Sequence, residues 1–358
     1  MKLILSDFSC KLRLKKLNFT PMILVTGGTG LVGSHLLLQL LKGDEPIRAI
    51  YRRDKTLSRV KNVFSYFSDD ADILFNKIEW VEADVNDIPK LQDAFKNITH
   101  VYHCAAFISF EPDKYRALRR VNIEGTANIV NLSISHQVKK LCYVSTIAAI
   151  GHHSNPKKLI DEQTEWSPEN DNSIYAITKY GAELEVWRGT QEGLDAVIVN
   201  PGIILGAGYW NDGGSGSFFQ RIYNGVPYYT SGVTGYVDVW DVINVMEELM
   251  KSSVKNEGFI LVSENLSFKS FFTKTALNLG VKPPKKEASS WLLGIGWRLD
   301  WLNHKLFGSR RRLSKQTAKS AVSNTKYDAS KIKNSINFEF KPIDTSIKEV
   351  STLFLKNL

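Results

Sequence analysis

Residues 22–43 read MILVTGGTGLVGSHLLLQLLKG, and their pattern is the strongest indication of the fold class. Its apolar start, MILVT, predicts a buried strand, and residues 31–42 predict a helix that ends at Gly43. The turn between them contains Gly27, Gly28 and Gly30, and Gly33 follows in the first turn of the helix. Such a turn lets the backbone approach a pyrophosphate, and the helix N-terminus offers free N–H groups and the positive end of its dipole. The stretch therefore predicts a dinucleotide-binding unit.

Further apolar runs continue the same rhythm along the chain. Strands are predicted at 47–51, 78–84, 100–106, 140–146, 195–201 and 258–264, and helices at 122–138 and 174–191. These strands lack the alternation of a half-solvated sheet, so helices should cover both faces of a parallel sheet. With right-handed crossovers, the pattern predicts an α/β fold with a doubly wound parallel sheet (Rossmann) of about seven strands.

The chain is expected to divide into a core and a smaller lobe. Residues 22–200 are predicted to be the NAD(P)-binding Rossmann core, with return segments near 236–264. After Pro201 the sequence is rich in glycine and aromatic residues and loses the strand–helix rhythm. Residues 201–235 and 265–358 are therefore predicted to form a mainly C-terminal substrate-binding lobe. Residues 1–21 are expected to be a disordered or non-native N-terminal extension.

Composition narrows the class of protein and its partners. The chain has 358 residues, 43% hydrophobic and 23% charged, which is typical of a globular protein. Its net charge is +9, but no basic stripe with interleaved aromatic residues is present, so we expect no nucleic-acid partner. The three cysteines, Cys10, Cys104 and Cys142, have no metal-ligand spacing and form no disulfide framework. These features favour a cytoplasmic protein without a metal.

Residues 289–315 form an unusual apolar and basic segment. The stretch SSWLLGIGWRLDWLNHKLFG contains Trp291, Trp297 and Trp301 and is followed by SRRRLSK. It is too short and too charged to span a bilayer. A helix packed on its own domain is the favoured interpretation, and peripheral contact with a membrane surface is the alternative.

A tyrosine and a lysine lie four positions apart in SIYAITKYGAELEV, residues 173–186. On a helix, Tyr175 and Lys179 would share one face. Other motifs accompany this pair in a fixed order along the chain: GxxGxxG at 27–33, EADV at 82–85, HCAA at 103–106, Asn122, YVSTIAAIG at 143–151, NPG at 200–202 and YVDVWDV at 236–242. In this order they resemble the extended short-chain dehydrogenase/reductase family, over roughly residues 22–350.

The resemblance implies a catalytic set of Thr146, Tyr175 and Lys179. A free tyrosine has a pKa of about 10, and a nearby ammonium favours the phenolate, so Tyr175 could exchange a proton with a substrate oxygen while hydride moves. The family uses the lysine to bind the nicotinamide ribose as well. Ser145 is the alternative to Thr146, because neighbouring residues on a strand point to opposite faces.

The resemblance also implies a set of cofactor-binding residues. Arg52 and Arg53 follow the second predicted strand, where arginine accommodates the 2′-phosphate of NADP. NADP(H) is therefore favoured, and NAD(H) is the alternative. The expected cofactor-binding residues are Gly27, Thr29, Gly30, Leu31, Val32, Arg52, Arg53, Asp84, Val85, Ala105, Ala106, Tyr175, Lys179, Pro201, Gly202 and Ile204.

Two departures from the family pattern narrow the class of reaction that the resemblance implies. Ile147 and Ala148 follow Thr146, where nucleotide-sugar dehydratases carry an acidic pair, and Thr234 replaces a phosphate-binding arginine. The sequence therefore most resembles the dihydroflavonol reductases and 3β-hydroxysteroid dehydrogenases, which implies a reductase or dehydrogenase for a ketone or secondary alcohol of a small apolar substrate. A nucleotide-sugar epimerase or dehydratase with retained NAD(P) is the alternative. We also expect a homodimer. The candidate substrate contacts are Phe107, Ser145, His152, Tyr209, Trp210 and Phe218.

Overall fold

The computed structural model describes residues 21–153, 158–211, 214–308, 311 and 313–358. The strands are β1 Met22–Thr26, β2 Ile47–Tyr51, β3 Glu79–Glu82, β4 Ile98–His103, β5 Lys140–Val144, β6 Ala196–Pro201, β7 Ile203–Leu205, β8 Tyr228–Tyr229, β9 Val233–Asp238, β10 Glu257–Leu261, β11 Glu264–Ser267 and β12 Lys286–Glu287. The expected N-terminal extension, up to Thr20, lies outside the described residues.

Helices connect and cover these strands. They are α1 Leu31–Leu40, α2 Leu57–Ser65, α3 Ala71–Asn76, α4 Ile88–Ala94, α5 Tyr115–Arg119, α6 Gly125–Ser135, α7 Ile174–Gln191, α8 Gly216–Tyr223, α9 Val239–Lys251, α10 Phe268–Asn278, α11 Ser290–Phe307, α12 Lys315–Ser320, α13 Ser330–Ile336 and α14 Ile343–Leu355. In the described part of the chain, no helix is long and apolar enough to cross a membrane.

Seven parallel strands form the central sheet, as the sequence predicts. Their order is β10-β6-β5-β4-β1-β2-β3. The order reverses between β1 and β4, which pair in parallel with Val25 opposite Tyr102 and Thr26 opposite His103. In a doubly wound sheet, the crevice outside the carboxyl ends of the strands at such a reversal is where ligands bind. The topology therefore places a ligand crevice beside Thr26 and His103.

Both faces of the sheet are buried by helices. Along β1, Val25 belongs to one apolar cluster with residues of α1, α2 and α9, whereas Leu24 belongs to the other with residues of α4, α6 and α7. Both side chains are fully buried. This explains why the strands are apolar throughout, because each side chain faces a core whichever way it points.

Elements after Pro201 build two smaller sheets and a third core. The strands β11, β9 and β7 form one sheet, and β12 pairs with β8 in the other. The third core is rich in aromatic side chains from α8, α10 and α14, including Phe219, Phe271 and Phe354.

Two helix boundaries differ from the sequence-based prediction. Helix α1 ends at Leu40, and its C-cap is Leu41 in a right-handed conformation, so Gly43 lies beyond the helix and is not its cap. The predicted helix at 122–138 starts earlier, with α5, and passes through a π-helical turn at Arg120–Glu124 before α6. A π-turn shifts the helical register, which a search for the ordinary periodicity does not detect.

Candidate active site

The glycine turn after β1 leaves room for a phosphate. Gly27 has a φ of 68°, and a Cβ on it would lie 2.6 Å from the Ala105 nitrogen. A Cβ on Gly33 would lie 2.2 Å from the Gly27 carbonyl oxygen. Gly30 is the N-cap of α1, and a Cβ on it would meet only the Gly27 oxygen, at 3.4 Å. The protein thus packs tightly behind the turn and leaves space in front of the helix N-terminus, as a bound pyrophosphate requires.

The residues flanking the turn occupy the crevice predicted by the topology. Thr29 precedes the N-cap, and Leu31 and Val32 begin α1. Ala105 and Ala106 follow the end of β4, and the Ala105 N–H donates to Thr26 Oγ1 at 3.3 Å. These backbone segments lie at the carboxyl ends of the two neighbouring strands where the strand order reverses.

The far end of the crevice contains an arginine–aspartate pair. Arg52 directly follows β2, and its Nη1 lies 3.7 Å from Asp84 Oδ2. Burial acts to raise the pKa of Asp84, but hydrogen bonds from Asn86 and the charge of Arg52 outweigh it and lower the pKa. Arg53 is exposed, and Val85 is buried. A cleft of about 530 Å³ lies beside the Asp84 carboxylate and provides space for a ligand there.

The segment after β6 is fixed by its neighbours. Pro201 is the last residue of β6, and Ile204 lies in β7. The Gly202 N–H donates to the Leu261 carbonyl at 3.0 Å, and a Cβ on Gly202 would lie 2.4 Å from the Gly235 oxygen. The backbone of this segment is therefore held close to β9 and β10.

Tyr175 and Thr146 meet at the mouth of the crevice. Helix α7 begins after Ser173, whose hydroxyl caps it by accepting from the Ala176 N–H at 3.1 Å. This places Tyr175 in the first turn, where its side chain is buried and hydrogen-bonds with Thr146. Burial raises the pKa of Tyr175 more than the Thr146 hydrogen bond lowers it. The phenol is therefore protonated near neutral pH and is suited to donate a proton.

Lys179 lies one turn further along α7 and is almost completely buried. Its Nζ donates to the Tyr143 hydroxyl at 2.5 Å and to the Val144 carbonyl at 2.9 Å. Burial lowers the pKa of Lys179 to about 7, although the charge of Glu183 acts to raise it. Its amine therefore titrates close to neutral pH and is held beneath the site by two acceptors on β5.

The sequence matches a known family of enzymes. The sequence model of the NAD dependent epimerase/dehydratase family matches residues 23–258. The chain belongs to this family. It is 28% identical over 279 residues to a dihydroflavonol 4-reductase-like protein of Synechocystis sp., covering 76% of this chain and 77% of the relative. It is 26% identical over 243 residues to sterol demethylase protein B of Methylococcus capsulatus, covering 68% of this chain and 70% of the relative.

Solved structures share the fold of this epimerase/dehydratase-family chain. The crystal structure of gox2253 has a TM-score of 0.76 at 24% identity and covers 94% of this chain and 98% of its own. UDP-glucose 4-epimerase of Thermotoga maritima has a TM-score of 0.72 at 20% identity, with coverages of 94% and 99%. The resemblance inferred from the motifs is therefore confirmed. The chain is an NAD(P)-dependent oxidoreductase-type enzyme acting on a small molecule.

Sequence reasoning missed Glu183, which lies on the same face of α7 as Tyr175 and Lys179. Burial raises the pKa of this carboxyl to about 7. Asn200 Nδ2 donates to Glu183 Oε1 at 2.6 Å and to the Thr146 carbonyl at 3.1 Å, so it ties α7 to the catalytic strand end. The i, i+4, i+8 spacing of Tyr175, Lys179 and Glu183 was a signal for this residue.

Tyr143 was also missed as a partner of the lysine. Beside it, His103 Nδ1 is 2.6 Å from Thr26 Oγ1, and its Nε2 is 2.9 Å from Thr126 Oγ1. The His103 ring stacks on Tyr143 with centroids 5.3 Å apart. Burial lowers the pKa of His103 to about 3, so the ring is neutral near pH 7. Its role here is to pack against Tyr143 without adding a charge beside Lys179.

The structure separates the candidate substrate residues into two groups. Phe107 lies on the crevice loop, and its N–H donates to Asn122 Oδ1 at 2.8 Å. Ser145 is buried and lies close enough to Glu183 to lower its pKa, although its Oγ makes no hydrogen bond of ordinary geometry. His152 is exposed just beyond the catalytic strand. Substrate contact stays a prediction for these three residues.

The other three candidates make contacts within the protein, and substrate contact stays a prediction for them as well. The Tyr209 hydroxyl donates to the Thr29 carbonyl at 2.8 Å, so this residue supports the glycine turn. Trp210 Nε1 donates to the Tyr66 hydroxyl at 3.1 Å, and its ring packs on Phe354. The Phe218 ring packs in the same aromatic core of the lobe, against Phe271 and Phe272. Part of the apolar composition that suggested a substrate pocket builds the third core.

Acidic and metal-ligating side chains are dispersed in the part of the chain that the structure describes. Within it, no group of three or more His, Cys, Asp or Glu side chains could hold a metal ion. Cys104 and Cys142 are free thiols, and burial raises the pKa of Cys104 to about 12. Neither thiol is suited to act as a thiolate nucleophile near neutral pH.

Proposed function

We propose that the chain is an NADP(H)-dependent reductase that transfers hydride between nicotinamide and a ketone or secondary alcohol of a small, apolar substrate. The observation that carries this proposal is the buried phenol of Tyr175, hydrogen-bonded to Thr146 above the buried amine of Lys179. A proton donor at a ligand crevice suits carbonyl reduction, in which the carbonyl oxygen must gain a proton.

The residues present fit a nicotinamide dinucleotide. The space in front of Gly30 and the free N–H groups of α1 would hold the pyrophosphate, and Asp84 would contact the adenine. Thr29, Leu31, Val32, Ala105, Ala106, Pro201, Gly202 and Ile204 would line the rest of the crevice. The nicotinamide, when bound, supplies or accepts the hydride.

The side chains of this chain carry the proton chemistry. In the reductive direction, Tyr175 donates its phenolic proton to the substrate oxygen, and the Thr146 hydroxyl holds that oxygen in place. The phenolate that remains on Tyr175 is stabilised by the ammonium form of Lys179. Since the charge of Glu183 favours that ammonium form, Glu183 supports the same step from one turn further along α7.

The preference for NADP(H) over NAD(H) is supported by Arg52 and Arg53. Both follow β2, whose carboxyl end is where the 2′ position of the adenosine ribose is read in such folds. A free arginine fork could bind a 2′-phosphate with two charge-assisted hydrogen bonds. Arg52 lies only loosely beside Asp84, so it could turn to a phosphate at little cost.

Net turnover of the cofactor tests the proposal. The full chain should consume NADPH in the presence of flavonoid-like, steroidal or other apolar ketones, followed by loss of NADPH absorbance, and the Tyr175→Phe variant is the control. Epimerisation of a nucleotide sugar with no net loss of NADPH would favour the alternative, a retained-cofactor epimerase. Absence of both activities would refute a catalytic assignment for these substrate classes.

The proposed function also assigns a role to each part of the chain. We propose that residues 201–235 and 265–358 provide the substrate-binding lobe, whereas residues 22–200 and the segments near 236–264 form the cofactor-binding core. Homodimer formation and a cytoplasmic location stay predictions. Sedimentation velocity of the full chain tests the first, and fractionation of the source cells tests the second.

A further inference from the structure

Helix α11 presents an apolar stripe to solvent. Its members are Trp291, Ile295, Leu299, Leu302 and Leu306, whose exposed fractions lie between 43% and 69%. With 3.6 residues per turn, these five side chains fall within about 80° of one another around the helix. None of the 18 residues of α11 is buried. A contiguous exposed apolar patch of this kind marks an interaction surface.

The opposite side of α11 is what holds the helix on the protein. A Cβ on Gly296 would lie 3.4 Å from a methyl carbon of Leu313. The Leu313 N–H donates to Asp300 Oδ2 at 3.2 Å, and Arg311 Nε lies 3.8 Å from the same oxygen. The helix is therefore anchored by the segment that follows it, with the stripe facing outward. The helix thus packs on its own domain through one side, as the sequence favoured, whereas the stripe is exposed.

Positive charge borders the stripe. Residues 290–315 contain six basic residues and one acidic residue, a net charge of +5. The Arg298 guanidinium lies 4.6 Å from the Trp297 ring centroid, and Lys305 Nζ lies 5.2 Å from that of Trp301. Tryptophan, aliphatic side chains and flanking cations together are typical of a helix that lies in the headgroup region of a bilayer. Two copies of this segment would repel each other, which disfavours self-association through the stripe.

The end of α11 lies near the loop between β4 and α5, whose Phe110 packs against Tyr175. Lys114 does most to lower the pKa of Asp113, and the charge of His304 in the last turn of α11 adds to the effect. In the same loop, Ile108 and Phe110 are exposed. The Phe110 ring packs against Tyr175 with centroids 5.6 Å apart. Exposed apolar side chains thus occur on the loop beside Tyr175 as well as on α11.

We propose that α11 docks this protein on the surface of an anionic lipid bilayer. The stripe enters the boundary between headgroups and acyl chains, while Arg298 and Lys305 contact lipid phosphates and carboxylates. In this orientation the loop beside Tyr175 faces the membrane, so an apolar substrate could reach the site from the bilayer. Only this last consequence rests on the proposed reductase function, because docking itself requires no catalysis.

Co-sedimentation of the full chain with vesicles tests the docking. We expect binding to vesicles that contain phosphatidylserine, weak binding to pure phosphatidylcholine, and release at high salt, where screening shortens the range of the charges. The Leu299→Glu/Leu306→Glu variant should lower the partition coefficient by at least about tenfold, since two apolar anchors are replaced by anions. Leu277→Glu on α10 is the matched control, because Leu277 is 64% exposed outside the stripe, and it should bind as the wild type does.

Three outcomes would overturn the proposal. The first is a wild-type chain that stays in the supernatant with anionic vesicles, and the second is a stripe variant that binds as well as the Leu277→Glu control. The third is a wild-type dimer that the stripe variant converts to a monomer without vesicles, which would make the stripe a dimer interface. NADPH titration of each variant confirms folding. The Tyr175→Phe variant should bind vesicles normally, so failure of docking and failure of the proposed chemistry remain distinguishable.

Discussion

Replacing Tyr175 by phenylalanine removes one hydroxyl and leaves the ring in place. The ring keeps its packing against Phe110, and the change removes the hydrogen bond with Thr146. Loss of one buried hydrogen bond should cost about 1 kcal/mol of folding stability. Loss of a positioned proton donor should lower turnover by roughly 10²- to 10⁴-fold. This corresponds to about 2.7–5.5 kcal/mol in the activation barrier, so the catalytic effect should far exceed the structural one.

Tyr143→Phe is the matched control, because it also removes one phenolic hydroxyl from a buried ring near Lys179. It removes an acceptor of the Lys179 ammonium and leaves the Val144 carbonyl as the other. A lost acceptor disfavours the charged form and so lowers the pKa of Lys179 further below its usual range. Turnover should then fall by less than about tenfold, and the fall should be larger above pH 7 than below it.

The assay is steady-state oxidation of NADPH with a confirmed ketone substrate, from pH 6 to pH 9, beside a fluorescence titration of NADPH for each variant. Both variants should bind NADPH with nearly wild-type affinity below pH 7. If Tyr175→Phe keeps near-normal turnover while Tyr143→Phe loses it, the proton comes from Tyr143 and the assignment of Tyr175 is wrong.

Three other changes test the crevice and the buried charges. Gly33→Ala should abolish NADPH binding or folding, because its Cβ would lie 2.2 Å from a carbonyl oxygen. Gly43→Ala should change neither, because its Cβ would lie at an ordinary 3.5 Å from the nearest carbonyl oxygen. Thermal melts with and without NADPH check both variants. The double change of Arg52 and Arg53 to alanine should weaken the binding of NADPH by tenfold or more and the binding of NADH little, since each 2′-phosphate contact is worth about 1.5–3 kcal/mol. Equal losses of affinity for the two cofactors would refute the NADP assignment. The pKa of Glu183 rises from 4.5 unfolded to about 7 folded, so its carboxyl lowers the free energy of unfolding as the pH rises through that window. Glu183→Gln should remove about 2 kcal/mol of this decline between pH 5 and pH 7, measured by urea unfolding; an equal decline in the wild type and the variant would contradict it.

Local chemistry explains which features could be predicted from the sequence. The glycine turn, the strands β1, β2, β5 and β6, and helix α7 were predictable, because backbone freedom, apolar runs and helical periodicity act over a few residues. The family could be inferred as well, since its motifs are short and occur in a fixed order. Tyr175 and Lys179 share a buried face of α7 for the same local reason: they lie about one helical turn apart.

Contacts between residues far apart in the chain could not be predicted in this way, because they depend on how the whole chain folds. Lys179 contacts the hydroxyl of Tyr143, 36 residues away, and Asn200 reaches the Glu183 carboxyl across the gap between β6 and α7. Tyr209 bonds the glycine turn from 180 residues away, a pairing that no local pattern contains. The sequence also predicted an apolar helix near 289–308, but not which of its side chains would stay exposed. The same spacing serves a protein core and a bilayer surface, because hydrophobic burial has no direction and depends only on which apolar surface is near.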